Sequence, residues 1–232
     1  MMKNLDCTNC LIRPKSCFNS LTETDLIEMN NNKISTFYKK GQNIFHEGMM
    51  PAGIYCLKSG KIKIFKLGID GKEQIVRFVL PGGLLGIRAF VSGRQYMANA
   101  GTIEDSVVCF IDRRTFFNIS NRYPTISHCI LATLSQLLEE AENKMTSLAQ
   151  KPVRERLAES LLILNKLFKA ENCPVEKSNI NIPREDLANI VGTATETVIR
   201  LLSEFKEERL IAIIGRKIIL QDRKGLEKIA KV

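Results

Sequence analysis

The stretch from Ile182 to Phe205 constrains this chain more than any other. It reads Ile-Pro-Arg-Glu-Asp-Leu-Ala-Asn-Ile-Val-Gly-Thr-Ala-Thr-Glu-Thr-Val-Ile-Arg-Leu-Leu-Ser-Glu-Phe. Leu187, Ala188 and Val191 make one short apolar face at helical spacing, and Val198, Leu201, Leu202 and Phe205 make a second. Gly192 stands between them, free of the Cβ strain that bars other residues from a tight turn. Two short helices joined by a glycine-containing turn form a helix-turn-helix, whose second helix lies in the DNA major groove. Burial of the second apolar face leaves Thr195, Glu196, Ile199 and Arg200 outward, with Thr197 in the same first turn. Arginine donates two hydrogen bonds to guanine, and glutamate accepts one from cytosine. Arg184 and Thr193 are placed to hold phosphates. The run from Leu210 to Leu220 then reads as a hairpin with Gly215, Arg216 and Lys217 at its tip, a basic wing for the DNA backbone.

The overall charge agrees with an anionic partner: 34 Lys and Arg stand against 25 Asp and Glu, a formal net charge of +9. The excess is spread over both halves of the chain, so neither half is a basic tail.

Ahead of this region lie two other patterns. From Ile34 to Phe116 short runs of β-branched and aromatic residues, such as 54–57, 61–65, 74–80 and 106–111, alternate with turn pairs at Ser59-Gly60, Asp70-Gly71 and Pro81-Gly82. They predict a small barrel or sandwich. Thr22, with Asp25 three residues on, predicts the capped start of a short helix before it. Pro124 then opens a long helix in which Leu131, Leu134, Leu138, Ala141, Met145 and Leu148 recur at alternating steps of three and four, the seam through which two helices pack knobs into holes. Packing of that stripe on the chain's own core is the competing reading. Glu139, Glu140, Glu142 and Lys144 suit a solvent face. Pro152 ends or kinks this helix, and another is expected from Val153 to about Ala170, followed by a loop from Glu171 to Asn181.

On these residues the sequence resembles the Crp/Fnr family of bacterial transcription regulators. The core Glu196-Thr197-Val198-Ile199-Arg200-Leu201-Leu202 carries the likeness in the helix-turn-helix. Lys40-Gly41, Gly48, Gly60, Ile62 and Lys63 carry it in the strand-rich region. The resemblance implies an α+β fold: an N-terminal double-stranded β-roll like that of cyclic-nucleotide-binding domains, a long dimerisation helix, and a C-terminal winged helix-turn-helix. The expected limits are a cysteine-containing arm over 1–20, the sensory roll over 21–119, the dimerisation helix over 120–150 and the DNA-binding domain over 151–232. It implies a homodimer on a two-fold symmetric double-stranded DNA site, with half-sites about 34–36 Å apart. RNA polymerase is a further partner that the likeness implies.

The family's effector pocket would fall at Leu84, Leu85, Gly86, Ile87, Arg88, Tyr96 and Met97. Relatives that bind cyclic AMP use a Gly-Glu pair and an Arg-Ser or Arg-Thr pair there. Here Gly86 is followed by Ile87, and the later position reads Gln95-Tyr96-Met97-Ala98. A cyclic phosphate would lose its paired cation and hydroxyl, so cyclic AMP is not the expected effector.

Seven cysteines remain to be explained. An odd number in a chain whose N-terminus has no signal-peptide pattern argues against a disulfide framework and for a reducing cytoplasm. Cys7, Cys10 and Cys17 form a compact thiolate cluster, suited to zinc or iron–sulfur and in need of a fourth ligand. They resemble three ligands of the family's oxygen-sensing branch, with the second spacing one residue longer than in the best-known members. Cys109 resembles the distant fourth. The resemblance thus implies a [4Fe–4S] cluster on Cys7, Cys10, Cys17 and Cys109, sensitive to oxygen or nitric oxide. Zinc, or no metal with Cys109 as a small strand hydrophobe, stays open. Cys56, Cys129 and Cys173 have no evident partner.

No enzyme is expected. Gly-x-Ser-x-Gly, phosphate-loop and His-Glu-x-x-His patterns are absent from the sequence. No apolar run reaches the ~18 residues that span a bilayer, so no membrane partner is expected. The rival to a DNA-binding regulator is a β-roll module that regulates a partner protein.

Overall fold

The computed structural model describes residues 6–168 and 179–231. Cys173 and most of the loop expected over 171–181 lie outside the described residues. Contacts divide the chain into two compact units, Met1–Leu67 with Val76–Glu139, and Gly68–Ile75 with Glu140–Val232.

The first unit contains the β-roll. Strands β1 (Lys33–Tyr38), β2 (Asn43–Phe45), β3 (Gly53–Ser59), β4 (Ile62–Leu67), β5 (Glu73–Val79), β6 (Leu84–Leu85), β7 (Asn99–Thr102) and β8 (Ser106–Asp112) form two four-stranded sheets, ordered β1-β8-β3-β6 and β2-β7-β4-β5. Helix α1 (Glu23–Asn32) precedes them, α2 (Ile87–Ser92) follows β6, and α3 (Arg113–Arg122) follows β8. Helix α4 (Pro124–Gln150) contributes residues to both units.

Strand alternation explains why β3 and β8 need cover on both sides. Tyr55, Leu57 and Val108 point between the sheets, where they meet Phe45, Ile62, Leu85 and Tyr96. Ile54 and Ile111 point the other way, into a second core with Phe18, Leu21, Leu26, Met29, Phe116 and Ile126. The segment expected to be an irregular arm is therefore built into the fold. It makes a single 3-10 turn at Arg13–Lys15, and Cys7, Cys17, Phe18 and Leu21 are buried. Its apolar residues have no regular period, which is why the sequence shows a loop where the structure has core.

The Thr22 cap forms as the sequence predicts, its hydroxyl accepting from the Asp25 backbone N–H. The Asp25 side chain does more than complete a cap. Its carboxylate accepts from the hydroxyls of Thr22 and Tyr123 and pairs with Arg122, Nη1 to Oδ1 at 2.9 Å. Arg122 also reaches Glu28, at 2.6 Å. This network fastens α1 to the end of α3.

In the second unit, α5 (Val153–Leu167) buries Leu157, Leu161 and Leu164. Strand β9 (Asn179–Ile180) follows, then α6 (Arg184–Val191) and α7 (Thr195–Glu207). Strands β10 (Ile211–Ile214) and β11 (Lys217–Leu220) pair as an antiparallel hairpin, with β9 on the far side of β11. Helix α8 (Arg223–Ala230), capped by Asp222, closes the unit. Val198, Leu201, Leu202 and Phe205 are all buried, as their spacing requires.

The hydroxyl donors of Thr22 and Tyr123, and then Arg122, hold the Asp25 carboxyl below its ordinary value of 3.8. A carboxyl with a depressed folded pKa adds stability that is complete above its unfolded pKa and is lost as pH falls through the folded one. Urea midpoints measured from neutral pH downwards are therefore expected to fall more steeply below about pH 4 for the unaltered chain than for Asp25→Asn. Parallel curves would show that the network contributes nothing.

Candidate nucleic-acid interface and cysteine site

The helix-turn-helix hinges where the sequence places it. Gly192 adopts φ +74° after the last turn of α6, and its N–H returns to the Ala188 carbonyl. Ala194 then opens α7 in extended conformation. The carbonyls at the end of α6 are held by cations: Arg156 Nε donates to Val191 O at 3.0 Å, Arg156 Nη2 to Gly192 O at 3.2 Å, and Lys144 Nζ to Ile190 O at 2.7 Å. Positive groups at a helix C-terminus satisfy its orphan carbonyls and oppose the negative end of its dipole. Lys144 thus departs from the solvent-facing place expected of it, and burial lowers its pKa.

Helix α7 presents Glu196, Ile199, Arg200 and Ser203 to solvent, with Thr195 and Thr197 half-exposed. Arg200 is 65% exposed in its side chain and donates to Glu204 one turn on, at 2.5 Å. Glu204 also takes Arg154 from α5, at 3.1 Å, and Arg154 pairs with Glu208 and lies 4.8 Å over the Phe205 ring. Helix α7 is pinned at its C-terminal half, while the outer face of its first two turns stays open. Ile199, 49% exposed beside Arg200, carries no base-reading role in the sequence analysis, although its outward position is legible there. An exposed branched aliphatic side chain at that place suits a thymine methyl group.

At the wing, Arg216 and Lys217 are exposed beside Gly215. Arg184 is half-buried and reaches Arg216 O at 3.5 Å, so part of its donor capacity holds the wing. Burial lowers its pKa. Thr193 lies half-exposed in the turn between the two helices.

The seam residues of α4 divide. Leu131, Leu138 and Met145 are 62%, 60% and 62% exposed, and Ala141 and Leu148 are exposed as well. Leu134 instead packs partly against the arm-bearing core.

The seven residues expected at an effector pocket separate more sharply. Leu84, Leu85, Ile87 and Tyr96 fill cores. Arg88 and Met97 face solvent. The Tyr96 ring stacks on Phe45 with centroids 3.9 Å apart and lies against Gly86, whose φ is +74°. A Cβ at Gly86 would come within 2.6 Å of that ring. Leu85 and Tyr96 fill the roll, and Leu84 and Ile87 pack in the arm-bearing core.

The cysteines also arrange themselves differently from expectation. Cys17 is disulfide-bonded to Cys129 of α4, with Cα atoms 5.6 Å apart. The expectations of no disulfide and of no partner for Cys129 are thereby corrected. Folding of the arm onto the core brings together two cysteines 112 residues apart, at a separation that a disulfide spans. Of the four cysteines the resemblance assigns to a cluster, Cys17 is committed elsewhere in this structure. Cys7, Cys10 and Cys109 are free, and so is Cys56. All four free thiols line one pocket between the arm and the sheet, with Arg13 and Lys33 beside them. Among the described residues no three His, Cys, Asp or Glu side chains already stand as a metal site. Burial raises the Cys7 pKa against the pull of Lys33 and pushes Cys56 up to about 12.

Comparison with known proteins agrees with this architecture. Residues 35–123 match the cyclic nucleotide-binding domain family, and residues 155–229 match the Crp-like helix-turn-helix domain family. The fumarate and nitrate reduction regulatory protein of Yersinia pestis is 27% identical over 227 residues, covering 97% of this chain and 90% of its own. Regulatory protein HlyX of Actinobacillus pleuropneumoniae is 28% identical over 217 residues, covering 93% and 90%. The structure of FixK2 from Bradyrhizobium japonicum superposes with a TM-score of 0.75 at 26% identity, covering 85% of this chain and 96% of that one. With two matched domains in this order, and full-length likeness to regulators of this kind, the chain belongs to the Crp/Fnr family of DNA-binding transcription regulators.

Proposed function

We propose that the chain works as a homodimer on a two-fold symmetric DNA site, with the exposed face of α7 reading bases and the N-terminal unit reporting a redox signal. The observation that carries the reading is the open first half of α7. Glu196, Ile199 and Arg200 stand free of the core above a Gly192 hinge that is itself braced by Arg156. Thr195 and Thr197 flank these base readers, while Arg184, Thr193, Arg216 and Lys217 supply phosphate contacts that set register without reading sequence.

The exposed stripe of α4 supports self-association. Leu131, Leu138 and Met145 form a row that water covers poorly, and a second copy of the same helix would bury it by the packing of a two-stranded coiled coil. The family likeness supports reading RNA polymerase as a further partner and the cytoplasm as the setting. No described helix is long and apolar enough to cross a membrane. Regulation of a partner protein instead of DNA is the weaker reading, because it leaves the matched helix-turn-helix without a use. No catalytic role is assigned to any residue.

For the signal, we read the thiols of the N-terminal unit as holding an iron–sulfur cluster of the kind the family's oxygen-sensing branch uses. The donor chemistry fits, since free thiols line one pocket. So does a buried Arg13 Nε with no hydrogen-bond partner, which a sulfur-rich anion would satisfy. Cyclic AMP is not the expected effector, because Gly86 is followed by Ile87 and the later position reads Gln95-Tyr96-Met97-Ala98, without the paired cation and hydroxyl a cyclic phosphate needs.

Replacing Arg200 with Ala is expected to weaken binding to the preferred DNA site by about 1–3 kcal/mol and to relax preference at one base position per half-site. A selection over randomised DNA with both proteins checks this, and unchanged preference would remove Arg200 from the reading face. Charging the seam with Leu138→Glu is expected to give a folded monomer with weakened DNA binding. Sedimentation that still shows dimers would place the interface elsewhere.

A further inference from the structure

The family resemblance gives the third arm ligand to Cys17, and the structure commits that sulfur to Cys129. The pocket beside it nevertheless holds four free thiols. Two come from the arm, where Cys7 and Cys10 bracket one short turn closed by the Cys10 N–H on the Cys7 carbonyl, at 3.4 Å. The other two come from the sheet. Cys56 on β3 and Cys109 on β8 are register partners in the antiparallel ladder. They point to the same face as Ile54 and Ile111, the face that the arm covers. Directly opposed side chains on one face have Cβ atoms about 4.5–5.5 Å apart. The pairing is thus set by the backbone ladder.

The charges around the pocket suit a thiolate set. Four thiolates around a soft metal centre leave excess negative charge, and Lys33 and Arg13 are placed to offset it. Lys33 bonds to Cys7. Arg13 brings its unpartnered Nε. Ser35 on β1 lies 3.5 Å from the Cys109 sulfur, a hydroxyl able to donate to a ligating thiolate.

We propose that the metal-binding thiols of this chain are Cys7, Cys10, Cys56 and Cys109, with Cys56 of β3 taking the corner that family resemblance gives to Cys17. The proposal rests on the reading that the N-terminal unit holds an iron–sulfur cluster, and it deepens that reading by naming the ligands. Two thiols are fixed on a sheet and two are carried by a short turn. Each ligating thiol gives its proton to solvent as the metal binds. Cys17 and Cys129 take no part in coordination and fasten the arm to α4.

The test is anaerobic purification of the full chain and of Cys17→Ser, Cys129→Ser, Cys56→Ser and Cys109→Ser. Iron, acid-labile sulfide and zinc are counted per chain, absorption is recorded near 400 nm, and circular dichroism establishes that each variant is folded. The expected result is about four irons in the unaltered chain, retained in Cys17→Ser and Cys129→Ser, and lost in Cys56→Ser and Cys109→Ser. Loss of iron from a folded Cys17→Ser, or full iron in Cys56→Ser, would overturn the ligand assignment and leave the cluster reading standing. Zinc in place of iron, with the same dependence on Cys56, would keep the ligand set and overturn the cluster reading. An unaltered chain that holds neither metal would overturn both.

Discussion

The burial of the N-terminal arm against the outer face of the first sheet is the contact on which the sensory unit depends. Strands β3 and β8 carry apolar side chains on both faces, and the second sheet covers only one. Phe18 and Leu21 from the arm, with Leu26 and Met29 from α1, keep Ile54 and Ile111 from water. Each such side chain contributes about 1.5–3 kcal/mol when fully buried. The arm's cysteines are therefore placed inside the packing of the domain, and chemistry at those sulfurs acts directly on the core. The same burial carries Cys17 to Cys129 and so binds the arm covalently to α4.

Helix α7 is held by a different device, a set of cations around it and its hinge. Arg154 grips its C-terminal half through Glu204, Glu208 and the Phe205 ring. Arg156 and Lys144 fix the last carbonyls of α6 and thereby the hinge at Gly192. These three charges are half-buried and are used structurally. Part of the chain's positive excess thus holds the helix-turn-helix in shape, while Arg216 and Lys217 remain exposed.

Much of this was legible in the sequence wherever a local rule decides the outcome. The Gly192 hinge, the buried row of α7, the Thr22 cap and the strands around 54–57 and 106–111 follow from spacing and backbone preference alone. The arm was not legible, because its apolar residues lack a period and find their partners far along the chain. Cysteine pairing over such separations cannot be deduced from spacing. The position of Cys56 depended on strand register: nothing in the sequence states that it lies opposite Cys109. Lys144 looked like one charge among several on a solvated face, and only the approach of α6 gives it carbonyls to hold. The stretch around Gly86 reads as pocket lining in the sequence, yet an apolar pocket and a filled core use the same side chains, and here the Tyr96 ring stacks on Phe45 and lies against Gly86.

The pairing of Arg200 with Glu204 has a consequence for how sequence is discriminated. Off DNA the guanidinium already has an acceptor one helical turn away. If it reads a base as proposed, it must leave that carboxylate, and recognition is then an exchange of acceptors. An exposed pair of this spacing is worth only about 0.3–0.5 kcal/mol, less than the roughly 1–3 kcal/mol a well-matched guanine returns. At a base that cannot offer two acceptors, the side chain loses little by staying folded back. On the proposed reading, the arginine would keep to its own helix away from guanine and would turn outward only where the groove presents that base.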